Sequence, residues 1–241
     1  MGFRPCPLAQ PSCFLSGLAH HLRRWKCRNY SYRSQLADLI GCNNLQQHLT
    51  GRHYDARLEQ KGWSNLARKV EENGFHLDVG VLGTKAILNA LSENGYAETA
   101  YKVAVQDTYP SWGWWVVNGA TTLLENRDLQ ATRDISDNHM MFGEIGAWFY
   151  KGLGGIFPDP AQPGFRNILL RPHFMKGLKR FEARHQSPYG EIISRWEWEG
   201  KRVHYEVTVP ANSTATLTLP DKDNNERVME LKAGTYEFIV K

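Results

Sequence analysis

At 241 residues, with 41% hydrophobic content and a formal net charge of +4, the chain can hold one large globular domain or two ordinary ones. No run of 18 or more apolar residues occurs, which excludes a membrane-spanning helix, and Pro5, Pro7 and Pro11 interrupt any apolar core of a secretory leader. Eight Lys/Arg stand against Asp38, Asp55 and Glu59 in residues 1–60, so the excess of positive charge is confined there and a neutral partner is expected for the rest.

That first segment is compositionally foreign to the rest of the chain. It holds all four cysteines (Cys6, Cys13, Cys27 and Cys42) at spacings that match no zinc or CxxC pattern, so incidental thiols are expected, with neither metal nor cofactor. HHLRRWKCR is a short basic stretch without a nucleic-acid-binding fold around it, and neither a nucleic-acid nor a membrane partner is expected. Its lack of acidic residues before Asp38 and its clustered thiols suggest a shifted reading frame or a fragmentary gene model. Residues 1–60 are therefore set apart as an atypical N-terminal segment.

From about Trp63 the period is helical. SNLARKVEENG puts Leu66 and Val70 four residues apart, with Ser64 as a candidate N-cap and Gly74 closing the turn. LGTKAILNALSENG aligns Leu82, Ile87, Leu88 and Leu91 on one face, with Thr84 as cap and Gly95 as stop. AETAYKVAVQD predicts a third helix. The loop YPSWGWW comes next, then a short helix is expected through ATTLLE. HMMFGEIGAWFYKGLGG predicts a last apolar helix with Met141, Ile145, Trp148 and Phe149 on its buried side. Short helices joined by Gly-rich turns suggest an array of α-hairpins.

FPDPAQPGF ends the helical region, because three prolines and a glycine rule helix out. Beyond Gly164 the period becomes two. Val203, Tyr205, Val207 and Val209 share a face, as do Ala215, Leu217 and Leu219, and Tyr236, Phe238 and Val240. NILLRP, KRFEARHQ and GEIISRWEW add strands, so about six antiparallel strands form a small β-sandwich.

Residues 109–125 carry the chemistry-bearing groups. Tyr109, Trp112, Trp114 and Trp115 can form a stacking wall for sugar rings, although one or two of these tryptophans can equally be core. Asn118, Thr121 and Thr122 can bond hydroxyls, and Glu125 is followed by Asp128, Asp134, Asp137 and His139. Glycoside hydrolysis needs paired carboxyls across the bond. On the residues alone Glu125 is as readily a solvated helix-end residue, and His139 as readily structural.

HLDVGVLGT, YPSWGWW, GATTLLE, NHMMFGEIGAWFY, PGFRNILLRP, SPYGEIISRWEW and VTVPANSTATLTLP resemble, in order and spacing, the C-terminal region of glycoside hydrolase family 78, the bacterial α-L-rhamnosidases. The resemblance runs from about Gly74 to Pro220. It implies an α + β multidomain fold, in which a partial (α/α)6 six-hairpin barrel over residues 61–160 precedes an antiparallel β-sandwich over 164–241. It also implies an inverting glycosidase that cleaves terminal α-L-rhamnose from glycosides or polysaccharides. In that family one Glu protonates the leaving oxygen and another activates water. The resemblance places the general base at Glu125 and a sugar-contacting histidine at His139, with Trp112 near the same pocket; Trp114, from the aromatic wall, joins them as a substrate-binding candidate, and no metal or other cofactor is implied. The family's general acid lies in an acidic motif that has no counterpart here, since RHYDARLEQ lacks its spacing. Little or no activity is therefore expected of this chain alone.

Two departures touch the site. Leu124 and Arg127 stand where the family often has aromatic residues, and the stretch from Glu125 to His139 is shorter than in many members. Other readings stay open: a non-catalytic carbohydrate-binding protein, another (α/α)6 enzyme such as a fucosidase, uronyl hydrolase or lyase, or a sandwich that is only a structural appendage.

Overall fold

The structure, a computed structural model, describes residues 56–133, 136–220 and 225–240, without the side chains of 56–61, Val81 and Leu82. The cysteines, the basic stretch and Asp134 lie outside these residues. The chain divides into two compact units, residues 1–69 and 70–241. Of the first, only part of helix α1 (Ala56–Glu72) is described.

α1 begins eight residues before Ser64, which therefore lies inside the helix instead of capping it. Leu66 and Val70 are buried, as their spacing predicts. The chain then turns through Gly74 and Phe75, both at positive φ. Helix α2 (Val81–Glu93) has Gly80 at its N-cap, so Thr84 is not the cap. Its hydroxyl instead donates back to the Gly80 carbonyl at 3.1 Å from within the first turn. Ile87, Leu88 and Leu91 are buried along one face, while the Leu82 side chain lies outside the described residues. Helix α3 (Ala97–Ala104) comes next and packs against α2.

The next helix falls elsewhere than expected. WGWWVV itself forms α4 (Trp112–Val117), capped by the Ser111 side chain accepting the Trp114 amide at 2.9 Å. The described residues of 118–139 contain no helix, so ATTLLE is irregular and Glu125 is not a helix-end residue. The reason is local. Ser111 supplies the cap that starts the helix, whereas Gly119, at positive φ, ends it before Ala120.

The last apolar segment is three short pieces in sequence: a 3-10 turn (Met140–Gly143), helix α5 (Glu144–Trp148) and a π turn (Phe149–Leu153). These changes of pitch rotate the buried side away from the single-helix expectation. Phe142, Trp148 and Leu153 are buried, Met141 and Ile145 only half-buried, and Phe149 is 38% exposed.

Among the described residues, eight strands make up two four-stranded sheets, in the orders β1-β2-β6-β7 and β3-β4-β5-β8. They are β1 (Ile156–Pro158), β2 (Asn167–Leu170), β3 (Arg180–Ser187), β4 (Gly190–Glu199), β5 (Arg202–Val209), β6 (Thr214–Pro220), β7 (Glu226–Leu231) and β8 (Gly234–Val240). The pairing is antiparallel except for β2 with β6, which run parallel. Val203, Tyr205, Val207, Val209, Ala215, Leu217 and Leu219 are all buried, as the two-residue period predicts.

The sandwich also grips the end of the helical run. Three consecutive carbonyls of Gly152, Leu153 and Gly154 accept from His173 Nδ1 at 2.8 Å, Trp196 Nε1 at 3.0 Å and Ser194 Oγ at 2.6 Å. Helix ends leave such carbonyls without intrahelical partners, and side chains of the sandwich supply them. Gly155 stands next at φ 66°, where a Cβ would lie 2.2 Å from the Arg171 carbonyl carbon, so only glycine fits this approach.

Candidate active site

The irregular stretch 118–139 closes on itself by a short backbone pairing. The Glu125 amide donates to the Ser136 carbonyl at 2.8 Å and the His139 amide to the Leu123 carbonyl at 2.6 Å. This brings Glu125 and His139, fourteen residues apart, side by side. His139 Nε2 lies 3.8 Å from Glu125 Oε1, with side chains 23% and 28% exposed. Both are sheltered yet reachable by water.

Each partner is oriented by a backbone amide. Ser136 N–H donates to Glu125 Oε2 at 3.3 Å, which leaves Oε1 toward the histidine. Met141 N–H donates to His139 Nδ1 at 3.4 Å, so the neutral ring carries its proton on Nε2, facing the carboxylate. Aromatic packing supports the ring from below. His139 meets Phe142 edge-on at 5.8 Å, and Phe142 meets the buried Trp115 at 5.1 Å.

The tryptophans divide between core and surface. Trp112 is 4% exposed, and its indole N–H donates to the Phe142 carbonyl at 3.1 Å. Its ring offers no open face. Trp115 is likewise buried and donates to the Arg127 carbonyl at 3.3 Å. Trp114 is half-buried and stands edge-on to the exposed Tyr109, ring centres 6.0 Å apart. Both rings keep exposed surface, unlike Trp112 and Trp115. Gly113 is obligatory here, since a Cβ would meet the Gln106 carbonyl oxygen at 2.4 Å.

The remaining polar candidates are less engaged. Asn118 donates to the Trp114 carbonyl at 2.8 Å, at the end of α4. Thr121, Thr122, Asp128 and Asp137 are exposed. Glu144, the other carboxyl of the NHMMFGE segment, is occupied by Asn89 at 2.7 Å and Lys151 at 3.0 Å. Arg127, which stands at a departure from the family pattern, donates with its guanidinium to the Val79 carbonyl, just ahead of α2. Among the described residues no group of three or more His, Cys, Asp or Glu could hold a metal ion.

Residues 43–153 match the model of the bacterial alpha-L-rhamnosidase 6 hairpin glycosidase domain, and residues 155–234 that of the bacterial alpha-L-rhamnosidase C-terminal domain. The chain belongs to the bacterial α-L-rhamnosidase family. It is 35% identical over 168 residues to an alpha-L-rhamnosidase of Formosa agariphila, an alignment covering 67% of this chain and 18% of the relative. The solved α-L-rhamnosidase of Aspergillus terreus superposes with a TM-score of 0.72 at 27% identity, over 78% of this chain and 22% of that one. The Streptomyces avermitilis alpha-L-rhamnosidase, solved in complex with L-rhamnose, gives 0.72 at 25% identity, over 84% and 21%. The chain thus spans about a fifth of the length of the rhamnosidases it matches. Its helices and β-sandwich are the partial six-hairpin domain and C-terminal domain of that family.

Proposed function

We propose that this chain carries the general-base side of an inverting α-L-rhamnosidase site, with Glu125 as the base that activates water. The observation that carries this is the oriented pair, His139 Nε2 at 3.8 Å from Glu125 Oε1. With Oε2 tied to Ser136 N–H, Oε1 can take a proton from water while His139 Nε2–H holds a sugar hydroxyl or the same water. Trp114 and Tyr109 serve as the stacking surface, and Trp112 acts by holding the Phe142 backbone under His139.

Cleavage also needs a carboxylic acid on the opposite side of the bond. The family's acid motif has no counterpart in this sequence, so the chain alone turns over little or no rhamnoside. Turnover of a nitrophenyl α-L-rhamnoside by the purified 241-residue chain, abolished by Glu125→Gln, overturns that half of the reading. The base role is tested in a graft. Residues 70–241 replace the matching part of the Streptomyces avermitilis relative, and Glu125→Gln is expected to lower kcat about 10²–10⁴-fold. A graft whose turnover is indifferent to that substitution sinks the assignment. Binding of L-rhamnose without hydrolysis by the graft favours a carbohydrate-binding protein instead.

A further inference from the structure

Glu125 sits in a stretch without helix or strand, so something other than regular secondary structure must keep its carboxylate in place. The backbone pairing with Ser136 and Leu123 closes the stretch on itself, but it does not tie the closed loop to the helices. The Ala120 amide, donating to the Trp115 carbonyl at 2.9 Å, ties the start of the stretch to α4, and two contacts of Arg127 tie it close to Glu125. Its guanidinium crosses to the carbonyl of Val79, in the turn that leads into α2. Its own carbonyl accepts the indole N–H of Trp115 at 3.3 Å, from α4. Both anchors are buried, with Val79 only 5% exposed and Trp115 only 2%.

We propose that Arg127 is a positioning residue for Glu125, pinning the base-bearing loop to the turn before α2 with its side chain and to α4 with its backbone. The proposal rests on the assignment of Glu125 as the base. The physical grounds are reach and geometry. The residue is two positions from Glu125, so a displacement of Arg127 passes to the carboxylate through two peptide units. A planar guanidinium on a long stem spans a gap to a backbone carbonyl that short side chains cannot bridge, and its donors lie in a fixed fork. A misplacement of about 1 Å at a reacting group is enough to cost about 10²-fold in rate. Arg127 therefore acts through Glu125 and touches no reacting atom.

The test uses hydrogen exchange on the full 241-residue chain. The amides of Glu125 and His139, which close the loop, report its order, and the amides of Tyr205 and Val207 report the sandwich. Arg127→Ala is expected to speed exchange at Glu125 and His139 about tenfold or more, corresponding to about 1.4 kcal/mol of local opening, with the sandwich amides unchanged. Arg127→Lys, which can still donate once to Val79, should recover most of the protection. Trp115→Phe, which removes the donor to the Arg127 carbonyl and keeps a ring against Phe142, should loosen the same two amides. Unchanged exchange at Glu125 and His139 in Arg127→Ala overturns the proposal, as does an equal acceleration across the sandwich. The outcome is separate from the base assignment. If Glu125→Gln leaves the graft active while Arg127→Ala loosens the loop, the base reading fails and the tether stands.

Discussion

In the sandwich, six strand pairings satisfy the backbone by regular ladders, and Trp196, Tyr205, Val207 and Leu217 are fully enclosed between them. In residues 118–139 the same need is met by a handful of single contacts, from Glu125 to Ser136, from Trp115 to Arg127 and from Arg127 to Val79. The neighbouring side chains differ as well, with Val116, Val117 and Met140 exposed by 70%, 63% and 86%. A ladder spreads its stability over many equivalent bonds, so losing one is tolerable. A loop held at isolated points is accurate where it is pinned and vulnerable at each pin. That arrangement suits the role proposed for Glu125, a carboxylate held in place yet open to water.

The comparison predicts opposite responses to substitution. The largest effect is expected at Glu125, where Gln removes about 10²–10⁴-fold of turnover in the graft and leaves the thermal midpoint nearly unchanged. Loss of folding in that variant would mean the carboxylate is structural. Next is Trp196→Ala, expected to cost about 3–5 kcal/mol in denaturant unfolding, because it empties a fully buried site and frees the Leu153 carbonyl. Trp196→Phe, which removes the donor to Leu153 and only part of the ring volume, should cost less, about 1–3 kcal/mol. Ser194→Ala should also cost about 1–3 kcal/mol, since its hydroxyl serves the Gly154 carbonyl and meets the Tyr205 phenol at 3.2 Å. A value near zero for both would show that the carbonyls find other partners.

Smaller effects should appear as pH dependence. Burial lowers the pKa of His173 below its ordinary 6.5, against a weaker opposing pull from the Gly152 carbonyl. Below that ordinary value the unfolded chain takes up a proton that the folded ring refuses. Stability should therefore fall as pH drops from about 6.5 toward the lowered folded value. Urea midpoints measured across that window should decline in the native chain and stay flatter in His173→Gln. The smallest change is expected at Asp159, whose carboxyl is held below its ordinary range first by Asn167 and then by the Ala161 amide. Its contribution is present above the ordinary carboxylate range and is lost as pH falls through the lowered folded value. Asp159→Asn should remove only that acid-side component, and a change near neutral pH would contradict the assignment.

The sandwich was readable because its two-residue period is a direct image of burial. Val203, Tyr205, Val207 and Val209 alternate in sequence for the same reason that they alternate between core and solvent. Two strands escaped that signal. β1 is three residues long and ends on Pro158, and β7 carries Glu226, Arg227 and Glu230, with Val228 exposed by 59%. The helical part was read less well at its boundaries, because caps depend on geometry as much as on residue type. Ser64 and Thr84 have the side chains of N-caps, yet they sit inside α1 and α2, while Ser111 performs the role.

What the sequence determined by itself was the switch from helical hairpins to paired strands, through local period and turn residues, together with the candidacy of Glu125 and His139. It could not place the two side by side, since fourteen residues of irregular chain have no periodicity from which a distance can be read. Tertiary structure decided that pairing through the Ser136 and Leu123 carbonyls, and it sent Trp112 and Trp115 inward while leaving Trp114 with Tyr109 outside. It also turned Arg127 from an unexplained charge into a tether, because a long side chain finds its partner, the Val79 carbonyl, only after the helices have packed.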